Sequence, residues 1–428
     1  MYNETNGLPH QCTHWVAMTG MEEYYMVIGI IGGGASGMAA ALAAGEKENV
    51  QVLLFERQAR LGRKLLATGN GRCNLTNTTA TVDDYNGASK GDFAIPALEK
   101  YNVGNTLQWF ADMGLYTVSE EDGRVYPYSD QANSVLDVLR FALEKPNIQV
   151  LTGSEVTRVK KNGDQFTVET AEESYTCDKL IIACGGLAGT KLGGSMSGYK
   201  LLMKFGHHCT KLRPSLVQIK SDWEALPSLK GVRANCWAVI ERDCELHSAG
   251  KGEIQFTEHG LSGPVIFDIS RDVCHEKGNW VCKLDLLPDL EREVLLPMLQ
   301  KKRETNLTAE DLLTGILHNR LGRVIVKEAG ISGYVPIKQL EDWELEKVCD
   351  KVFGLEVTLT EPMGMDSAQV TAGGIFTSEF DENTMESKLV PGLFACGEVL
   401  DIDGDCGGYN LQWAWSSGRC AGENAGKG

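Results

Sequence analysis

The chain has 428 residues, with 41 Lys and Arg against 58 Asp and Glu, which gives a formal net charge of −17. Its 43% hydrophobic and 23% charged residues are typical of a folded globular protein and exclude a largely disordered chain. The acidic balance argues against a protein that wraps nucleic acid or coats an anionic membrane, so we expect neither as a partner.

Cysteine usage and hydropathy predict the compartment. The 13 cysteines are odd in number and never form Cys-x-x-Cys, which favours a reducing compartment over a disulfide framework or a zinc site. We therefore predict no metal.

No apolar run reaches the roughly 18–20 residues that a membrane helix requires, so the predicted location is cytoplasmic. Residues 1–20 have no clear period, and we interpret them as a disordered leader.

The first predicted elements form a βαβ unit around a glycine-rich turn. Residues 25–31 and 50–55 are short apolar runs, which predict buried parallel strands. An Ala-rich run between them predicts a helix, and the sequence GGGASG precedes it. In this pattern Gly32 permits the tight turn, Gly34 lets a pyrophosphate approach the backbone, and Gly37 lets helix and strand pack closely.

An acidic residue and a basic loop follow this unit. Glu56 closes the second strand, 22 residues after Gly34, where a carboxylate can accept both hydroxyls of an adenosine ribose. The following loop is rich in Arg, Lys, Gly and Asn through residue 77. Such a loop favours FAD over NAD, because it can enclose both phosphate and flavin.

The middle of the chain predicts a part with both helices and strands, then an antiparallel sheet, and then a helical part. Its first part has predicted helices over residues 102–113, 131–143 and 197–205, and predicted strands over residues 148–159, 165–169 and 179–183. From residue 209 to 286 short alternating runs predict an antiparallel sheet. Residues 287–353 are predicted to be helical, and residues 355–359 return to a strand.

The C-terminal part is again rich in glycine. Residues 392–396 predict a strand, and Glu398 follows it, where a carboxylate can bind the ribityl hydroxyls of FAD. Gly407 and Gly408 then lead into a predicted helix. Its first backbone N–H groups can face the flavin and stabilise negative charge on the reduced ring.

These motifs resemble one family of bacterial and archaeal NAD(P)/FAD-dependent oxidoreductases. The stretches that carry the resemblance are GIIGGGASGMAAALAA, GRKLLATGNGRCNLTN, FTEHGLSGP and GEVLDIDGDCGGYNLQWAWSSG. The family includes the bile-acid reductase BaiN and an aminoacetone oxidase. The resemblance implies an α/β fold, in which a glutathione-reductase-type FAD-binding Rossmann-like domain carries an inserted β-barrel-like domain with a small helical insert.

The resemblance also implies domain boundaries and FAD contacts. The FAD-binding domain would comprise residues 21–208 and 364–428, the barrel-like insert residues 209–286 and 354–363, and the helical insert residues 287–353. The residues implied to bind FAD are Gly32, Gly34, Ala35, Ser36, Gly37, Glu56, Arg57, Lys64, Gly69, Asn70, Gly71, Arg72, Cys73, Asn74, Val156, Ala183, Gly185, Glu398, Asn410 and Leu411. Cys73 is either a packed side chain or a thiol near the flavin.

The predicted activity is hydride transfer between FAD and a small organic substrate. The first hypothesis is an NAD(P)H-linked reduction of a C=C bond in a 3-oxo, bile-acid-like steroid, for which Arg72, Lys191 and Tyr409 are candidate donors to the carbonyl oxygen. The alternative is an oxidase of small amines such as aminoacetone, with O2 as the acceptor. No second GxGxxG is present, so a nicotinamide would reach the flavin through the substrate cavity or an unrecognised surface.

Two further observations bear on the substrate. The loop after IIACGG reads LAGTKLGGSMSGY, with Thr190 and Ser197 where many relatives have Pro and Thr-Gly-Asp, so substrate identity does not follow from the resemblance. A flavin-dependent RNA-modifying protein is a hypothesis of another class. The charge of −17 and the absence of a clustered basic stretch argue against it.

Overall fold

The computed structural model describes residues 26–89 and 91–427, and the predicted leader at residues 1–20 lies outside them. The strands are β1 Met26–Ile31, β2 Val50–Glu56, β3 Thr76–Asn77, β4 Tyr85–Asn86, β5 Thr117–Ser119, β6 Arg124–Pro127, β7 Ile148–Thr152, β8 Arg158–Asn162, β9 Gln165–Glu169, β10 Ser174–Cys177, β11 Lys179–Ile182, β12 Arg213–Ser215, β13 Ile219–Lys220, β14 Arg233–Arg242, β15 Glu245–Phe256, β16 Gly260–Ser262, β17 Trp280–Asp285, β18 Leu355–Leu359, β19 Val370–Ala372, β20 Leu393–Ala395 and β21 Asp403–Gly404. The helices are α1 Ala35–Ala44, α2 Ile95–Lys100, α3 Val103–Asp112, α4 Ala132–Ala142, α5 Ser197–Lys204, α6 Leu226–Leu229, α7 Pro264–His275, α8 Arg292–Lys301, α9 Asn319–Glu328, α10 Asp342–Phe353 and α11 Tyr409–Ala425.

A parallel sheet of five strands forms the core of the first domain, in the order β20-β11-β1-β2-β7. Most residues of β1, β2 and β11 are apolar and buried, as is usual for the central strands of a parallel sheet that helices cover. The βαβ unit of β1, α1 and β2 is confirmed. The prediction of an α/β fold with a Rossmann-type domain is therefore confirmed.

Helices α1 and α11 pack backbone to backbone, although they lie at opposite ends of the chain. A Cβ added to Gly418 would stand 2.4 Å from the carbonyl oxygen of Ser36, and one added to Gly422 would stand 2.2 Å from that of Ala40. Only glycine permits this approach. The contact brings the two glycine-rich ends of the sequence together.

The predicted strand over residues 148–159 is wrong, because the chain turns in its middle. Gly153 adopts φ +70°, a left-handed conformation that ends β7 and that glycine adopts readily. Strand β7 joins the parallel sheet beside β2, whereas β8 pairs antiparallel with β9 in a separate sheet. The other predicted helices and strands of this part are confirmed within a few residues.

The middle of the chain forms an antiparallel, barrel-like sheet with its own apolar core. The strand order is β13-β16-β15-β14-β17-β18, and helices α8, α9 and α10 contribute to the same core. The predicted antiparallel sheet and the predicted helices of this part are both confirmed. Helix α7 was not predicted, although Pro264 at its first turn and the buried Ile266, Ile269 and Val273 give a helical start and spacing.

Candidate functional site

A cavity of about 730 Å³ lies at the carboxyl ends of the parallel strands, between them and the inserted sheet. This is where open α/β sheets bind their ligands. The sequence-predicted FAD residues that line it are Gly32, Gly34, Ala35, Ser36, Glu56, Arg57, Lys64, Gly69, Asn70, Arg72, Asn74, Val156, Ala183, Gly185, Glu398, Asn410 and Leu411. The two glycine-rich ends of the chain thus contribute to one cavity.

The three glycines of the first motif differ in what surrounds them. Gly32 has φ +114°, and a Cβ there would stand 2.4 Å from the carbonyl oxygen of Ala183. A Cβ on Gly37 would stand 1.8 Å from the carbonyl oxygen of Gly32, whereas one on Gly34 would have no atom within 4 Å. Gly32 and Gly37 are therefore required by the protein itself, and Gly34 leaves room on the cavity side.

Two helices direct their N-termini at the cavity. Helix α1 begins after Gly34 and α11 begins after Gly408, and neither N-terminus receives a hydrogen bond from a capping side chain. The first backbone N–H groups of both helices are consequently available to a ligand. Together with the helix dipoles they make two places that favour negative charge.

Glu56 is fixed at the end of β2 by backbone groups. One carboxylate oxygen accepts the N–H of Gly33 at 2.8 Å, and the other accepts the N–H of Gln58 at 2.7 Å. Each oxygen retains capacity for a second donor. The carboxylate is therefore held ready to accept hydroxyl groups at the side of the glycine-rich turn.

Glu398 is bound to residues from two other parts of the chain. Its carboxylate lies 2.8 Å from Nζ of Lys64 and accepts the backbone N–H of Thr371 at 2.9 Å. Lys64 and Glu398 are 334 residues apart in the sequence. This ion pair closes the cavity wall, and it partly occupies the oxygens that were predicted to face ribityl hydroxyls.

Asn410 and Arg57 also use their side chains within the protein. The side-chain amide of Asn410 donates to the carbonyl of Gly404 at 2.7 Å and accepts its N–H at 2.9 Å. Arg57 donates to the carbonyl of Gly193 at 2.6 Å. At Asn410, the backbone N–H is therefore the group left for a ligand.

Arg72 lines the cavity, but its charge is already compensated. Its guanidinium pairs with Asp130 and, at 2.8 Å, with Glu120. It also lies 3.8 Å from the ring centroid of Tyr126. Hydrogen bonds to the two carboxylates raise the pKa of Arg72 further above its ordinary value, so it stays charged but is poorly placed to serve a substrate.

Five predicted residues do not line the cavity. Lys191 is exposed in the short helical turn Thr190–Leu192, and the ring of Tyr409 packs edge-on against Tyr85 with centroids 6.3 Å apart. Neither is therefore placed as a donor at the cavity wall. The remaining three are Gly37, Gly71 and Cys73.

The thiol of Cys73 faces the core and not the cavity. The residue is fully buried among apolar side chains and adopts φ +62°. Burial raises the pKa of Cys73 to about 12, so its thiol is protonated at neutral pH and is a poor nucleophile. The packed alternative fits this position.

Sequence reasoning missed a cationic residue in the cavity. Arg124, at the start of β6, lines it and has Asp122 as an ion-pair partner at 3.4 Å. Its Nε lies 3.7 Å from where a Cβ of Gly407 would stand, beside the N-terminus of α11. The local sequence around Arg124 carries no motif, and only the pairing of β6 with β3 and β5 places it here.

The inserted domain supplies the opposite wall. Leu216, Pro264 and Phe267 line the cavity from that side, together with the polar Gln255 and Ser262. Apolar side chains here exclude water from whatever binds against the first domain. The site is therefore completed by a segment that the resemblance left without a role.

Two expected absences concern residues 26–89 and 91–427 alone. There, no group of three or more His, Cys, Asp or Glu side chains could hold a metal ion. None of the helices in this part of the chain is long and apolar enough to cross a membrane. That the protein binds no metal, has no membrane partner and is cytoplasmic therefore stay predictions.

Comparison with known proteins shows the family of this chain. The family model described as "HI0933-like protein Rossmann domain" matches residues 26–424. The chain is 37% identical over 411 residues to the 3-dehydro-bile acid delta(4,6)-reductase of Clostridium scindens. The aligned stretch covers 93% of this chain and 98% of that relative. The family resemblance stated from the motifs is therefore confirmed.

Two other relatives are named for a different activity. The ribosomal RNA dihydrouridine synthase of Escherichia coli is 33% identical, over 91% of this chain and 95% of the relative. The protein of the same name from Haemophilus influenzae is 30% identical, over the same shares. The expectation that this chain has no nucleic-acid partner consequently stays a prediction. The chain itself belongs to the HI0933-like family of Rossmann flavoproteins, and it is a flavin-dependent oxidoreductase.

Proposed function

We propose that this protein binds FAD in the cavity and uses it to reduce a C=C bond conjugated with a carbonyl group, as in a 3-oxo, bile-acid-like steroid. NAD(P)H is the proposed electron donor. The observation that carries the proposal is the cavity at the sheet edge, with two uncapped helix N-termini and a fixed carboxylate. The identity of 37% to a reductase over 98% of its length supports the substrate class.

The residues present suit three parts of FAD, namely its pyrophosphate, its adenosine ribose and the carbonyl edge of its flavin ring. The open space beside Gly34 and the free N–H groups of α1 suit a pyrophosphate. Glu56 suits the adenosine ribose, and a carboxylate there favours a 2′-hydroxyl over a 2′-phosphate. The N-terminus of α11 suits the carbonyl edge of the flavin ring, where negative charge develops on reduction.

When bound, FAD supplies a hydride to the β-carbon of the substrate, and a proton from solvent or protein completes the addition at the α-carbon. The task of the chain is to polarise the carbonyl and to exclude water. Arg124 is the proposed donor to the carbonyl oxygen, because its guanidinium lines the cavity with one ion-pair partner at 3.4 Å. Phe267 and Leu216 are proposed to cover the apolar part of the substrate.

A steroid-like substrate is favoured over ribosomal RNA by charge and similarity. The chain carries a net charge of −17, which repels a phosphate backbone. Identity to the bile-acid reductase is 37%, against 33% and 30% to the two rRNA dihydrouridine synthases. The names of both kinds of relative describe the addition of hydrogen to a C=C bond, so the proposed reaction class is common to them.

Removing the Glu56 carboxylate is expected to weaken FAD binding. Glu56→Ala should raise the Kd for FAD by about 10- to 100-fold, or about 1.4–2.8 kcal/mol, because two charge-assisted hydrogen bonds to the ribose are lost. Titration of flavin-free protein with FAD measures this effect. Glu56→Gln is the control, since it keeps an acceptor for Gly33. Wild-type affinity in Glu56→Ala would remove Glu56 from the ribose site.

The electron donor and acceptor can be separated in one experiment. Anaerobic mixing of the yellow protein with NADH or with NADPH is expected to bleach the flavin absorbance. A 3-oxo-Δ4 steroid should then restore the colour. Recovery with a uridine-containing rRNA fragment instead would assign the rRNA activity to this chain. Bleaching by aminoacetone but not by NAD(P)H would favour the amine oxidase.

A further inference from the structure

Helix α7 of the inserted domain is bonded to the loop that leads into α11. The carboxylate of Asp268 accepts the backbone N–H of Cys406 at 2.7 Å. One turn later, Arg271 pairs with the buried Asp403. Cys406 lines the cavity immediately before Gly407 and Gly408. The inserted domain therefore holds the loop, here defined as residues 403–408, at its first residue and again at Cys406.

The same loop is braced from the other side by the first domain. Strand β21 within it pairs with β4, and the N–H of Asp405 donates to the carbonyl of Asp84 at 3.0 Å. The side chain of Asn410 spans both backbone groups of Gly404. Hydrogen bonds from both domains therefore fix the segment that leads from α7 to the N-terminus of α11.

The carboxyl group of Asp268 faces charged groups from three other elements. Asp405 and the thiol of Cys406 lie in the loop, Arg124 belongs to β6, and Asp84 lies in the short helical turn after β3. Asp268 is exposed as a whole residue. The elements packed around its carboxyl group nevertheless exclude much of the water there, and this desolvation is the largest cause that raises the pKa of Asp268, to about 7. The acids raise this pKa as well, and the Cys406 N–H and Arg124 oppose them.

We propose that Asp268 is a positioning residue through which the inserted domain sets how readily the flavin is reduced. This inference rests on the proposed function, because that function places the flavin ring against the N-terminus of α11. As a carboxylate, Asp268 fixes the Cys406 N–H but opposes negative charge on the ring. When the ring gains two electrons and one proton, Asp268 takes up a second proton from solvent, and the opposition is removed.

The flavin reduction potential as a function of pH tests this coupling. In the wild type the potential should fall more steeply with pH from about pH 7 upward than in Asp268→Asn, by up to roughly twofold in slope, because a second proton then accompanies the two electrons. Well below pH 7 Asp268 is already protonated before reduction, so the two proteins should share one slope there. Asp272→Asn is the matched control, since Asp272 lies one turn further along α7. The substitution removes the same charge, but the Asp272 side chain makes no hydrogen bond or ion pair to residues 403–408. It should follow the wild type.

Parallel potential curves for the wild type and Asp268→Asn would overturn the inference. Should Asp268→Asn lose its flavin, Asp268→Glu provides the comparison. Its longer carboxylate should keep the steep part of the curve but shift the pH at which the slope changes. No shift in that pH would also overturn the inference. A wild-type protein that binds no flavin contradicts the proposed function instead, so the two failures are distinguishable.

Discussion

Replacing Gly34 by Val is expected to give a folded protein that no longer binds FAD. A Cβ at Gly34 has no protein atom within 4 Å, and the residue has φ −83° and an extended ψ, which a β-branched residue adopts readily. The protein therefore has room for a Cβ at this position, and the backbone need not change to accept valine. The added methyl groups would occupy the space that we assign to the pyrophosphate, and the Kd for FAD should rise by at least about 100-fold, or about 2.8 kcal/mol.

Gly37→Val is the contrasting variant in the same motif. Its Cβ would stand 1.8 Å from the carbonyl oxygen of Gly32 and 3.3 Å from Cβ of Ala183. Backbone would have to move to relieve this overlap, so we expect poorly soluble protein or a chain without a cooperative thermal transition. Circular dichroism and FAD titration, applied to both variants, separate the two effects.

The contrast between these glycines is what makes the assignment testable. Loss of FAD from both variants with loss of folding in both would mean that Gly34 has a structural role like that of Gly37. Gly34→Val that purifies fully yellow would remove the pyrophosphate from this turn. Gly34→Ala should fall between the wild type and Gly34→Val, because one methyl group fills less of the space.

The βαβ unit could be predicted because its determinants are local in the sequence. Gly32, Gly34 and Gly37 stand within six residues, and Glu56 follows at the end of the next strand. Each residue acts through the backbone or through the strand end on which it lies. The periodicity of the flanking runs therefore carried nearly all of the information needed to place them.

Other parts of the site depend on contacts that local sequence does not encode. The Lys64–Glu398 pair joins residues 334 positions apart, and its geometry arises only when β2 and β20 lie in one sheet. Arg124 reaches the cavity through the pairing of β6. Helix α7 was missed because its glycine- and proline-marked start lies within a stretch of short alternating runs that predicted strands.

Arg124→Ala is expected to lower kcat by about 100-fold with a smaller change in KM, because the proposed donor to the carbonyl oxygen is lost. Arg124→Lys should recover part of this loss, since it keeps the charge but not the planar fork of the guanidinium. Steady-state kinetics with the substrate found by reoxidation measure both variants. Retention of FAD absorbance in each shows that the cofactor site is intact.

Arg72→Ala provides the comparison that distinguishes this role from general loss of positive charge. The Arg72 guanidinium is already bound by Asp130 and Glu120. The substitution therefore removes mainly two solvent-exposed ion pairs, which contribute little, and kcat should change by less than about threefold. The opposite result, with kcat retained in Arg124→Ala and lost in Arg72→Ala, would transfer the donor role to Arg72. It would also mean that its two carboxylates release it when the substrate binds.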